Sequence, residues 1–271
     1  MICYLCKNKV LQKIIAISKK PMVEVDYGIS NDNYYREIYQ CNNCGTYNNI
    51  HNLIDENFYK GDYNKSITKE KFENRFDKII NLPESKSDNK KRVLRVINFL
   101  DTNIYSKNKL NILDVGSGTC VFLYEMKKHN IITNCIDPDP VAIKHSNEIV
   151  KVDNAHCGDI YSFKSKEKFD LISFNKVLEH IKTPINQINE ALKYLKKNGV
   201  LYIELPEGDR IFKDKLIDKR AEFALEHYTI HNISSINMIA KLCDLKILEL
   251  NIITDPSGKN TIYAFLKRNI L

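Results

Sequence analysis

A chain of 271 residues with 43% hydrophobic and 28% charged side chains has the length and composition of a soluble, cored protein of one or two domains. No apolar run approaches the roughly 20 residues that cross a bilayer, which excludes a helical membrane span. The net charge of +7 is spread over lysines interleaved with acids rather than gathered into a basic stripe, which argues against nucleic acid as the natural partner.

The chain opens with MICYLCKNKV, which lacks the basic, apolar and small-residue order of an export signal, so the expected location is the cytoplasm. In that reducing compartment the eight cysteines do not read as a disulfide framework. Four of them form two C-x-x-C pairs, Cys3 with Cys6 and Cys41 with Cys44. Thiolates at this spacing bite one ion, and two pairs complete the closed tetrahedral shell of a structural zinc site. A glycine follows Cys44 and supplies the tight turn such a site needs. A redox pair would instead sit at the head of a helix after a strand, which neither pair does. Between the pairs, PMVEVDYG and YYREIYQC look strand-like, so residues 1–65 are expected to form a small zinc-binding ribbon in which the metal is a staple. Cys120, Cys135, Cys157 and Cys243 stand singly in apolar runs and read as small buried hydrophobes.

After the aromatic, loop-like NFYKGDYNKS, apolar residues return at helical spacing: Phe72, Phe76 and Ile79, then Val93, Ile97 and Leu100, with Pro83 between the two sets. Residues 66–108 are therefore expected to be a helical bridge that packs on the following domain and is placed to cover its pocket. From residue 109 to the end, strand-like and helix-like runs alternate: LNILDVG, CVFLYEMKKHN, IITNCID, PVAIKHSNEIV, FDLISFNKVLEH, INQINEALKYLKK and GVLYIELP. This alternation specifies an α/β domain, a parallel sheet with helices on both faces, whose ligands sit at the carboxyl ends of the strands.

In the first turn, DVGSGTC, Gly116 and Gly118 let the backbone approach a ligand and open a helix. The turn departs from G-x-G-x-x-G, and Asp114 before it would repel a diphosphate, so it suits a ligand carrying an amino group. Asp137, at the end of the next strand, can accept from both hydroxyls of a ribose. Asp159 in CGDIYSF stands at a further strand end, where it can accept from an adenine amino group.

Taken together, ILDVGSGTC, CIDPD, GDI, FDLISFNKVLEHI and LKKNGVLYIELP resemble the successive motifs of class I S-adenosylmethionine-dependent methyltransferases, densely over residues 109–205. The resemblance implies a Rossmann-like, seven-stranded sheet with its last strand antiparallel, and S-adenosylmethionine as methyl donor. It implies contacts from Asp114 and Gly116 to the amino acid moiety, from Asp137 to the ribose, and from Asp159 and Ile160 to the adenine. Asn175 would lie beside the sulfonium, and Gly118 and Pro138 complete the set. Cys120 stands where the family usually has a third glycine, and a small thiol is expected to be tolerated there with a slight shift of the cofactor.

NKVLEHI resembles the small-molecule branch of that family, and the N/D-P-P-Y/F turn of many amino-methylating nucleic-acid enzymes is absent. YREIYQCNNCG followed by FYKGDY is similar to the zinc-bearing segment fused to sugar-modifying methyltransferases of bacterial surface-polysaccharide and antibiotic pathways, although the sugar C-methylating ones carry a further carboxy-terminal domain that this chain is too short to hold. The resemblance implies O-methylation of a small molecule, a sugar or nucleotide-linked precursor of a surface (capsular) polysaccharide. An RNA base methyltransferase with a zinc ribbon and a non-catalytic cofactor-binding scaffold are the alternatives. Methyl transfer is an in-line displacement that often needs a base on the acceptor, and His180 and His227 are the candidates. Glu204, Glu207, Tyr228 and His231 are further candidates, with a strand-end structural role as the other reading of Glu204, whereas His129, His145 and His156 fall on helices or mid-strand and are set aside.

Overall fold

The structure is a computed structural model that describes residues 1–22, 24, 28–51, 53, 69–104, 108–213 and 220–269. The FYKGDY stretch and the boundary at residues 65–66 lie outside the described residues.

Near the amino terminus, three strands, β1 (Leu11–Ile17), β2 (Arg36–Cys41) and β3 (Tyr47–Ile50), pair antiparallel in sequence order. YYREIYQC supplies β2 as the pattern predicts. PMVEVDYG does not supply its partner: its described residues are not strand, and LQKIIAI at 11–17 pairs instead. The reason is reach, because residues 11–17 follow the first cysteine turn directly and Leu11 pairs with Cys41 itself.

Helices α1 (Lys69–Ile80) and α2 (Asp88–Asn103) follow, separated by Pro83, and Ser87 caps α2 by accepting from Lys90 N. Proline and the serine cap stop one helix and start the other. Phe76, Val93, Val96 and Leu100 are buried. Phe76 stands edge-on to Tyr124 and His145, so the two helices pack on the larger domain, as their spacing predicts.

The rest of the chain alternates as expected: β4 (Asn111–Val115), α3 (Val121–Met126), β5 (Ile132–Asp137), α4 (Pro140–His145), β6 (Asn154–Cys157), β7 (Phe169–Asn175), α5 (Pro184–Leu192), β8 (Leu195–Pro206), α6 (Asp209–Lys213), β9 (Thr229–Ile230), α7 (Ile233–Leu242), β10 (Leu245–Thr254) and β11 (Asn260–Arg268). Seven strands make one sheet in the order β10-β11-β8-β7-β4-β5-β6. β4 through β8 run parallel, and β11, last in the chain, enters antiparallel between β8 and β10. The strand order reverses between β4 and β7, which opens a crevice at the carboxyl ends of those strands.

Two details differ from the sequence reading. Cys157 is exposed rather than buried, because it ends β6, the edge strand of the sheet. YLKK does not extend α5; the helix stops at Leu192 and β8 begins at Leu195, which pairs with Phe169. Glu204, in β8, is fully buried and bridges Arg92 at 2.5 Å and Arg95 at 2.7 Å, tying α2 to the sheet. Removing one partner of such a pair strands a buried charge, at about 3–5 kcal/mol. These two guanidiniums hold the Glu204 carboxyl well below its usual range against a large burial penalty, so it is structural and not a base.

The amino-terminal sheet is not a separate appendage. Its fourth strand is β9, from the far end of the chain, which pairs Tyr47 with Ile230 and Asn48 with Thr229. Cys3, Leu5, Cys41 and Cys44 share one apolar cluster with Ile172, Phe174 and Leu205 of the large sheet.

Candidate functional site

The turn after β4 is shaped by its glycines. Gly116 has φ +76°, and a Cβ there would stand 2.7 Å from Val177 Cγ2, so this glycine is demanded by packing. Gly118 has φ +50° and nothing within 4 Å of where its Cβ would be, so the backbone there borders open space. Gly118 N–H donates to Asp137 Oδ2 at 2.7 Å and Asp139 N–H donates to Oδ1 at 2.9 Å, which fixes the carboxylate at the end of β5. Cys120 has φ +60°, the left-handed conformation that favours glycine. Its side chain is fully buried, with the thiol against that of Cys135 in the core.

Asp114 is buried at the end of β4 and accepts from Ser173 Oγ and Asn175 Nδ2, each at 2.7 Å. Burial pushes both the Asp114 and the Asp137 carboxyls up to about 6, against the hydrogen bonds they accept. Asn175 Oδ1 is buried and has no hydrogen-bond partner among the described residues. Beyond β6, Gly158 N–H donates to Asp137 O at 2.9 Å, bringing the next turn alongside. There Asp159 is exposed and its Oδ1 accepts from Tyr161 N and Ser162 N, while Ile160 is fully buried. Pro138 is exposed. Asp114, Gly116, Gly118, Asp137 and Asn175 thus lie together around the crevice, Asp159 and Ile160 follow at its edge, and the donor set is rich in acceptors. Acceptors at successive strand ends, an orphan amide oxygen and an open glycine fit the amino group and ribose hydroxyls of S-adenosylmethionine.

The four amino-terminal cysteines converge. Cys3 Sγ lies 3.6 Å from Cys44 Sγ and Cys6 Sγ 3.5 Å from Cys41 Sγ, with all four sulfurs within 4.8 Å of one another. Zinc–sulfur bonds of about 2.3 Å set a tetrahedral edge of about 3.8 Å, so four thiolates here fit one ion. Both turns close alike, with Lys7 N donating to Cys3 O, Gly45 N donating to Cys41 O, and positive φ at Lys7 and Gly45.

On the other side of the crevice, β7 runs into a short turn carrying Glu179 and His180. His227 reaches the same place from the segment before β9, its ring 4.6 Å from that of His180 and at 78° to it. His180 Nδ1 lies 3.2 Å from Glu226 O, and His227 Nδ1 lies 2.8 Å from Glu222 O. Burial lowers His180 to about 3 and His227 to about 4, so both imidazoles are neutral at pH 7. Glu179 is fully buried, neither of its carboxylate oxygens has a hydrogen-bond partner among the described residues, and burial pushes it up to about 8. The other neighbours have structural duties. Glu207 accepts from Asp209 N and Arg210 N at the start of α6, and His231 is fully buried with Nε2 3.0 Å from Thr229 Oγ1.

Sequence reasoning missed Glu179, which is the residue before His180, and missed what holds His227. Asn49 Nδ2 contacts the carbonyls of Ala224, Leu225 and His227, and His51 Nε2 lies 2.9 Å from Leu225 O with its ring stacked on Tyr228. Arg36 donates to Phe223 O at 2.6 Å, and Asn232, the cap of α7, donates to Gly45 O at 3.1 Å. No local pattern marks such contacts between residues some 175 positions apart. The doublet at 179–180 was the one available signal.

A seven-stranded sheet of this order, with acids at successive strand ends beside a glycine turn, defines the class I S-adenosylmethionine-dependent methyltransferase fold. A methyltransferase-domain family model matches residues 84–250, more than half of the chain, and the chain belongs to that family. The ubiquinone biosynthesis O-methyltransferase of Coxiella burnetii is 28% identical over 111 residues, 39% of this chain and 47% of the relative. That of Histophilus somni is 34% identical over 101 residues, 34% of this chain and 42% of the relative. The chain thus spans about half the length of the curated relatives it matches. The N-methyltransferase NodS from Bradyrhizobium japonicum, solved with S-adenosylhomocysteine, superposes with a TM-score of 0.51 at 15% identity, covering 73% of this chain and 99% of that one; the likeness is of fold.

Proposed function

We propose that this protein transfers a methyl group from S-adenosylmethionine to a small molecule. The observation that carries the reading is the buried pair of carboxylates, Asp114 and Asp137, set around an open glycine turn at the switch point of the sheet. Asp114 with Asn175 would hold the amino acid moiety, Asp137 with Gly118 and Pro138 the ribose, and Asp159 with Ile160 the adenine. The bound cofactor supplies an electrophilic methyl on a sulfonium. The chain's own task is to place an acceptor atom in line with it and exclude water.

On the acceptor side, we assign His180 and His227 to hold a hydroxyl and, as neutral imidazoles, to take its proton. We assign oxygen as the acceptor atom, and a sugar or nucleotide-linked precursor of a surface polysaccharide as its carrier. The O-methyltransferase names of the curated relatives favour oxygen, and the likeness of the cysteine module to the zinc segment of sugar-modifying enzymes favours the sugar. One structural zinc held by Cys3, Cys6, Cys41 and Cys44 completes the protein, and its role is to build the small sheet that supports residues 222–232. The decisive experiment is turnover of S-adenosylmethionine against a panel of nucleotide-sugars, free sugars and phenols, with metal analysis of the same protein. Methylation of a sugar hydroxyl and one zinc retained by the four cysteines are the expected results. Turnover with a phenol alone would move the acceptor class, and failure to bind S-adenosylhomocysteine would overturn the reading.

A further inference from the structure

We propose that Glu179, His180 and His227 form a second metal site, separate from the four sulfurs, that binds a divalent transition-metal ion. One carboxylate oxygen and one ring nitrogen from each histidine lie within 4.8 Å of one another, so small side-chain rotations bring all three onto a common ion. The second observation is Glu179 itself. It is fully buried and, among the described residues, neither of its oxygens has a hydrogen-bond partner, although a buried carboxylate is ordinarily paired or bound to a metal. Lys176, whose charge acts on Glu179, donates its Nζ to Thr261 Oγ1 at 2.6 Å instead.

The histidines are held as metal ligands are held. His227 Nδ1 lies against the Glu222 carbonyl and His180 Nδ1 against that of Glu226, outer contacts of the kind that fix the orientation of a ligating imidazole. Two imidazoles and one carboxylate are the donor set of open zinc and other first-row metal sites, in contrast to the closed sulfur shell at the amino terminus. Three protein ligands leave a position for an oxygen, from water or from a hydroxyl on the acceptor.

The inference rests on the methyltransferase reading for its purpose and changes one part of it. With an ion present the imidazoles are ligands, and the ion polarises the acceptor oxygen in place of a histidine base. Val177 connects the two sides, since it packs on Gly116 of the cofactor turn and stands two residues from Glu179.

The test uses the full chain reconstituted with Co2+. Two ions per chain are expected, one with sulfur-to-metal charge-transfer absorption and one without it. Glu179→Gln and His227→Gln should each lose the second ion, or bind it at least tenfold more weakly, while keeping the sulfur bands. Cys41→Ser should lose the sulfur bands. Calorimetry with S-adenosylhomocysteine on each protein reports the fold of the variants and separates the two ideas. Cofactor binding by a wild-type protein that saturates with one thiolate-bound ion overturns the second site and leaves the methyltransferase reading standing. A second ion without cofactor binding does the reverse. Retention of both ions at wild-type affinity by both variants also overturns the site.

Discussion

On the cofactor side of the crevice, Asp114, Asn175 and Asp137 stand at the ends of β4, β7 and β5, and Gly116 and Gly118 lie in the turn after β4. These groups meet across neighbouring parallel strands, Gly118 N–H donating to Asp137 and Asn175 Nδ2 to Asp114. The acceptor side is assembled otherwise. Glu179 and His180 come from the turn after β7, His227 from a segment almost fifty residues later, and the supports of that segment from residues 36–51 at the start of the chain. The first region is made by strand geometry and is generic to the fold. The second is made by long-range docking between segments as far as 187 residues apart.

The largest effect should come from the second region. His227→Ala is expected to lower turnover about 10²–10⁴-fold with S-adenosylhomocysteine affinity near that of the wild type, whether the ring acts as base or ligand. A parallel fall in cofactor affinity, measured by calorimetry, would erase the division between the two sides. Cys41→Ser sharpens it further, because β3 and Gly45 hold residues 222–232. Turnover should drop substantially while cofactor affinity stays within a few-fold, and unchanged turnover after zinc loss would detach the module from the site.

The cofactor side should answer in the opposite sense. Asp137→Ala is expected to weaken S-adenosylmethionine and S-adenosylhomocysteine together by tenfold or more, since each charge-assisted hydrogen bond contributes about 1.5–3 kcal/mol. The acidity of this side gives a pH test. Burial raises Asp114 and Asp137 to about 6, so both are anionic at pH 7.5 and protonate as the pH falls through 6. A protonated carboxyl loses its attraction for the cofactor's ammonium and accepts hydroxyl hydrogen bonds poorly. Affinity for S-adenosylhomocysteine should therefore fall severalfold between pH 7.5 and pH 5.5, and Asp137→Asn should flatten the slope. A pH-independent affinity would remove both acids from the contact.

The smallest and most local contrast lies between the two glycines. Gly116→Ala meets Val177 and a positive φ, so it should lower thermal stability with or without cofactor. Gly118→Ala carries only the strain of its φ, about 1–2 kcal/mol, and its methyl enters open space, so its larger effect should be on cofactor affinity. Equal thermal shifts in the two variants, with equal affinities, would mean that Gly118 does not border the ligand.

Much of this was legible in sequence. A strand ending in an acid and a glycine turn specifies its own geometry, because period-two burial and positive φ are local properties. The alternating strands and helices, the acids at successive strand ends and the two matched thiol pairs follow from pattern and spacing, whereas the seven-stranded sheet was implied by the resemblance to the methyltransferase family. Cys120 shows where local reading stops. Its departure from glycine was visible, yet only the packed core shows the thiol buried against Cys135. Cys157 reads like its apolar neighbours, and only its place on the edge strand exposes it.

The sequence by itself determined the alternating α/β class, the acids at strand ends and the two thiol pairs, because each is a pattern of residue types over a short span. The tertiary structure alone decided that β9 closes the amino-terminal sheet, that Asn49, His51 and Arg36 hold the segment carrying His227, and that Glu179 is buried beside two imidazoles without a hydrogen-bond partner among the described residues. The physical reason is range. Backbone propensity and side-chain periodicity act over a few residues, whereas the hydrogen bonds and burial that assemble the acceptor side join segments whose proximity exists only once the two sheets have packed.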